Sequence, residues 1–204
     1  MFKFRELKMD WRAAVALIVG TLLLVTDSYR TFFGNELWTR TILYLVIPLV
    51  TILVVFRESP ARYGMQLGDW RAGLLFTAAA CLVLVGVMLF VARTPAMQNY
   101  YRRVSSDGLP FWLADGIELF GWEFFFRGFL FFALYRACGP IALILQAVPF
   151  ALAHVGKPEL ETLSCIFGGT AYAYVAWRTR SFLYPFLIHW FLALFTTMVA
   201  AGLI

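Results

Sequence analysis

The sequence predicts an all-α fold, a polytopic membrane bundle of about seven transmembrane helices in a single domain, and two observations carry that expectation. Hydrophobic residues make up 62% of the 204 and charged residues only 14%, with a mean hydropathy of +0.77, far from the composition of soluble domains. The apolar residues also fall into runs near the ~20 residues that cross a bilayer core, with short polar stretches between them. Nothing remains for a separate soluble domain.

The first run, near 12–33, follows the charged stretch "MFKFRELKMDWR". That order resembles a signal peptide, but no small-residue cleavage pattern follows and further spans come after, so a retained first helix is expected. A second helix is expected near 37–56. "RESPARYGMQLGDWRAG", at 57–73, is broken by Pro and Gly and is amphipathic, which suits an interfacial elbow. A third helix follows near 71–92. "RTPAMQNYYRRVSSDGLP", at 93–110, is the longest polar connection and reads as a flap on the outer surface. The remaining helices are expected near 110–136, 139–155, 160–178 and 181–203. Trp11, Trp38, Trp70, Trp112 and Trp177 fall near helix ends, where amphipathic rings meet the membrane interface.

The net charge of +5 does not form a basic tract, so membrane topology explains it and no nucleic-acid partner is expected. With seven crossings and a cytoplasmic N-terminus, Lys3, Arg5, Lys8, Arg12, Arg57, Arg62, Arg71, Arg136, Arg178 and Arg180 lie inside. Arg30, Arg40, Arg93, Arg102, Arg103 and Lys157 lie outside. That excess favours an N-in orientation. Cys81, Cys138 and Cys165 form no C-x-x-C pair and read as small core residues.

Among the few ionisable residues inside the spans are Asp115, Glu118, Glu123 and Arg127 in the fourth, His154 at the end of the fifth and His189 in the seventh. Each is expensive in hydrocarbon unless it meets a partner or water. Glu123 and Arg127 stand four apart on one helical face and can pair. Asp115, Glu118 and Trp122 share a neighbouring face, while Glu118 and Glu123 diverge by about 140°. A structural salt bridge and two packed histidines would account for each residue singly. Together, a carboxylate and two imidazoles on three successive regions are the equipment for hydrolysis by an activated water. On the expected spans, His154 lies near a helix end and Glu123 near mid-span, a depth mismatch of about 10 Å.

Three segments in order resemble the CAAX prenyl protease and bacteriocin-processing (Abi) family of glutamate-type intramembrane proteases: "WEFFFRG", "FALAH" and "HWFLA". The resemblance covers about residues 60–200 and implies residues 57–204 as the catalytic core, with 1–56 as peripheral helices. It implies a catalytic set of Glu123, Arg127, His154 and His189, no cofactor and no metal, and a membrane-embedded or lipid-anchored peptide as substrate. Two positions depart from the family pattern. Its first Glu, which activates water, corresponds to Trp122, and its final Asn or Asp corresponds to Ala193.

Three explanations stand open: Glu123 is itself the base, Glu118 supplies the missing carboxylate from one turn earlier, or catalysis is lost and the fold serves as a membrane scaffold or chaperone. A zinc protease using Glu123, His154 and His189 is a further alternative, without an H-E-x-x-H pair to support it. A transporter lacks the paired broken helices such folds use. The compact chain is expected in a prokaryotic inner membrane, acting on a hydrophobic tail, sorting segment or leader.

Overall fold

The structure is a computed structural model that describes residues 10–102 and 109–204. Lys3, Arg5, Lys8 and Arg103 of the charge count, and 103–108 of the expected flap, lie outside the described residues. Helix α1 (Trp11–Tyr29) opens on Asp10, whose carboxylate accepts from the Arg12 amide, satisfying a donor the helix leaves unpaired. It stops four residues before the expected end, at an extended Arg30. Helix α2 (Glu36–Phe56) begins at the cap Asn35 and contains two π-helical turns, Ile42–Val46 and Thr51–Phe56. Asp69 caps α3 (Trp70–Val91) through the Ala72 amide, and the short α4 (Pro95–Tyr101) starts on a proline, which has no amide hydrogen to satisfy.

Helix α5 runs through 111–138 as Phe111–Glu123, a π-helical stretch Phe124–Leu130, and Phe131–Cys138. Gly139, at φ 63° and ψ −143°, adopts a conformation open essentially to glycine alone, and the chain reverses there into α6 (139–152). Glu159–Thr179 forms α7 and Leu183–Ala200 forms α8. Among the described residues the only bridge outside helices is an isolated one between Val155 and Lys157. Among the described residues the protein is thus an all-helical membrane bundle with seven longer helices and the short α4.

Among the described residues five helical runs are long and apolar enough to cross a membrane: α1, α2, α3, the α5–α6 run Phe111–Leu152, and α8. Helix α6 alone rises about 21 Å, short of a ~30 Å hydrocarbon core, and forms the second arm of the Phe111–Leu152 run. Helix α5 is central. Every residue from Phe124 to Leu130 is buried, which fits a run with no polar face enclosed on all sides. Helices α1 and α2 pack on one side of it, α6, α7 and α8 on the other. Helix α3 is outermost, with 6% of its apolar window buried, and rests on α7 and α8.

That contact is close because Gly73 has no side chain: a Cβ there would lie 2.3 Å from the Tyr184 ring. Of the cysteines, Cys165 is buried but Cys138 is exposed and Cys81 intermediate. The core expectation therefore holds for one of three, because Cys138 ends α5 at the surface turn. The five tryptophans at helix ends are all exposed, between 39% and 53%.

Candidate active site

Glu123 closes the α-helical part of α5 and Arg127 lies in the π-helical stretch that follows; both are 0% exposed. The Arg127 Nη1 donates to Glu123 Oε1 at 3.0 Å, the pair expected from their spacing. The same oxygen lies 2.6 Å from His189 Nδ1 on α8. An ionised carboxylate only accepts, so this Nδ1 carries the hydrogen and Nε2 is left as the ring's second functional nitrogen. Glu123 Oε2 and Arg127 Nε and Nη2 are buried with no hydrogen-bond partner among the described residues. The guanidinium carbon sits 3.8 Å over the centroid of the Phe150 ring, within the range of a cation–π contact.

His154 stands two residues past the end of α6 and is 3% exposed. Its Nδ1 lies 2.7 Å from the Phe150 carbonyl; a carbonyl cannot donate, so Nδ1 carries the hydrogen and Nε2 keeps a free lone pair. The Thr162 hydroxyl donates to the His154 carbonyl at 2.8 Å and holds this turn in place. The Phe150 ring is 4.5 Å from the His154 ring and 6.1 Å from that of His189, so one aromatic side chain carries both imidazoles and the guanidinium around it. The expected depth mismatch is removed by the turn at Gly139. Glu123 lies fifteen residues before Cys138 and His154 fifteen after Gly139, so each stands about 22 Å from the reversal. Consistent with this, the ring of Trp122, next to Glu123, meets that of His154 at 5.9 Å.

All three motifs lie on α5 to α8. Residues 109–195 match the family model described as type II CAAX prenyl endopeptidase Rce1-like. This segment is Rce1-like. The matched family is the one the motifs resemble, and its description is that of an endopeptidase; the apolar helices make the chain an integral membrane protein. No curated protein and no solved structure matches the chain.

The Rce1-like segment does not bring Glu118 to this cluster. Its Oε1 accepts from Arg40 Nη1 of α2 at 2.7 Å, and Arg40 also faces Asp27 at 3.6 Å and Glu36 at 3.9 Å. Trp122 fills the place of the family's first Glu with a ring packed 5.0 Å from both Tyr44 and Phe126. Ala193 follows His189 by one turn of α8 and its methyl group offers no hydrogen-bond donor.

Two residues of the Rce1-like segment were not singled out from the sequence. The Tyr172 ring of α7 is 5.5 Å from that of His189 and 5.1 Å from the Arg127 guanidinium carbon. Gln146 is fully buried and its Nε2 donates to the carbonyls of Gly169 (2.8 Å) and Leu143 (2.9 Å), tying α6 to α7. Gln146 was findable, as a lone amide in an apolar helix. Tyr172 was not, because only the packing of α7 selects which of its tyrosines faces inward. Among the described residues no three His, Cys, Asp or Glu side chains are grouped to hold a metal ion.

Proposed function

We propose that this protein is an intramembrane endopeptidase that hydrolyses a peptide bond in a membrane-associated segment or C-terminal tail, using a water activated by Glu123 and no metal ion. The supporting observation is the division of labour on one carboxylate: Oε1 is held by Arg127 at 3.0 Å and His189 at 2.6 Å, while Oε2 is unengaged. A base needs a fixed position and a free lone pair; Oε1 supplies the first and Oε2 the second.

In this reading a water held between Glu123 Oε2 and His154 Nε2 gives its proton to the carboxylate as its oxygen attacks the scissile carbonyl. With a hydrogen on both ring nitrogens, His189 keeps Nδ1–H on Glu123 Oε1 and donates Nε2–H to the resulting oxyanion, a role worth about a hundredfold or more in rate. The proton on Glu123 then passes to the leaving amine as the C–N bond breaks. Arg127 keeps the carboxylate charged and oriented. Residues 57–204 form the catalytic unit in this reading, and a prokaryotic inner membrane with a cytoplasmic N-terminus is the proposed setting.

The test is cleavage of a prenylated CAAX peptide and of an unprenylated hydrophobic tail by purified protein. Glu123→Gln, His154→Ala and His189→Ala are expected to lose about 10²–10⁴ in rate, with Glu118→Gln unaffected. Full activity in Glu123→Gln would sink the proposed base, and cleavage abolished by a chelator would move the chemistry to a metal. Trp122 and Ala193 favour a second reading, a scaffold that binds a hydrophobic segment without cutting it. Glu123-dependent cleavage by the wild type eliminates that reading.

A further inference from the structure

The elbow between α2 and α3 and the turn between α7 and α8 enclose an open cleft of about 490 Å³, lined by Gln66, Gly68, Asp69, Arg178, Thr179 and Arg180. Four cross-links hold its two walls together. The Asp69 amide donates to the Thr179 carbonyl at 2.9 Å and the Phe182 amide to that of Gly64 at 3.1 Å. Gln66 Nε2 donates to the Arg180 carbonyl at 3.1 Å, and the Tyr184 hydroxyl to that of Leu67 at 2.7 Å. Gly68 sits at φ +56°, and a Cβ there would lie 1.9 Å from the Thr179 oxygen, so the walls meet as closely as a backbone can. The cleft is preformed.

Its charge is unbalanced. Arg178 is spent on Asp69, at 2.8 Å, but the exposed guanidinium of Arg180 has no partner among the described residues. Arg180 also occupies the left-handed cap of α7, at φ 57°, where glycine is the usual residue. The surroundings place the cleft at the edge of the bilayer. Trp70 and Trp177 beside it are 52% and 39% exposed, as ring anchors at the headgroup level are. Leu67, Leu74 and Leu75 continue from it as an exposed apolar face at 68%, 51% and 70%, and Arg71 adds a further cation over the Trp70 ring.

We infer that this cleft binds the phosphate of an anionic phospholipid, with Arg180 as the principal contact and the acyl chains lying along the exposed face of α3. A basic pocket between membrane helices at the headgroup level is suited to such a ligand, and phosphate is the anion whose geometry guanidinium groups match. The inference does not depend on whether the protein is a peptidase.

The experiment is native mass spectrometry of the full chain in detergent with phosphatidylglycerol or phosphatidylcholine of equal chain length, and separately with inorganic phosphate. The wild type is expected to retain phosphatidylglycerol at least about tenfold better than phosphatidylcholine. Arg180→Gly, which removes the guanidinium while suiting the left-handed backbone, should abolish that preference with no loss of melting temperature in detergent alone. Arg57 is the control: it is also exposed and left-handed, at φ 54°, on the same elbow but outside the cleft. Arg57→Gly should keep the preference. Equal retention of both lipids, loss of preference in both variants, or inorganic phosphate displacing phosphatidylglycerol at equal concentration would each overturn the inference.

Discussion

Replacing Arg127 by Met should destabilise the protein strongly, because it strands the buried Glu123 carboxylate. The guanidinium and the Glu123 carboxylate are both 0% exposed and 3.0 Å apart, and removing one partner of a buried pair costs about 3–5 kcal/mol because the other charge is stranded. Loss of the cation–π contact over Phe150, at 3.8 Å, adds about 1–2 kcal/mol, partly offset by sulfur–aromatic contacts from the new Met.

The expected penalty is therefore about 4 kcal/mol. Reversible unfolding in mixed micelles, referenced to wild type, measures it. Arg127→Met combined with Glu123→Gln, which leaves no charge, should be less destabilised at pH 7 than either single variant. A double variant whose losses simply add would show that the two charges are not coupled in the folded state.

Three further outcomes follow from the packing. Gly128→Ala should cost about 1–3 kcal/mol despite alanine's better helix propensity, since the new Cβ would lie 2.8 Å from the Tyr63 carbonyl oxygen; a melting temperature at or above wild type would contradict that contact. Glu58, in the elbow, resists ionisation through burial, but hydrogen bonds from Arg136 (2.6 Å) and Tyr63 (2.8 Å) outweigh this and hold it below its ordinary value of 4.5. Its contribution is complete above pH 4.5 and is lost as pH falls through the lower folded value, so Glu58→Gln should remove about 2 kcal/mol at pH 7 and flatten the acid limb of a stability-against-pH curve. Glu118→Gln should lower stability by no more than about 1 kcal/mol, since its pair with Arg40 is 34% and 31% exposed, and should leave any cleavage rate unchanged; a hundredfold rate loss would return Glu118 to the site.

Most helix positions were readable from the sequence because each apolar run is bounded by a residue with a local reason to stop it, such as Asp10, Asp69 or Gly139. The Glu123–Arg127 pair was readable for the same reason: its two members are one turn apart. Glu118 was misleading because its partner Arg40 is 78 residues away, and helical periodicity places a side chain on a face without saying what covers that face. His154 looked too shallow because 139–155 reads as a full crossing, whereas α6 is the short arm of a hairpin.

Sequence alone determined that the chain is a membrane helix bundle, that Glu123, Arg127 and both histidines fall on or beside successive apolar helices, and which family model their segment resembles. These follow from composition and from spacing along one helix, quantities that are complete before the chain folds. Only the tertiary structure decided that His189 reaches Glu123 at 2.6 Å, that Glu118 is held by α2, and that Tyr172 faces the site. Each is a meeting between helices, set by where small residues such as Gly73, Gly128 and Gly169 let backbones approach and by where Gly139 turns the chain back.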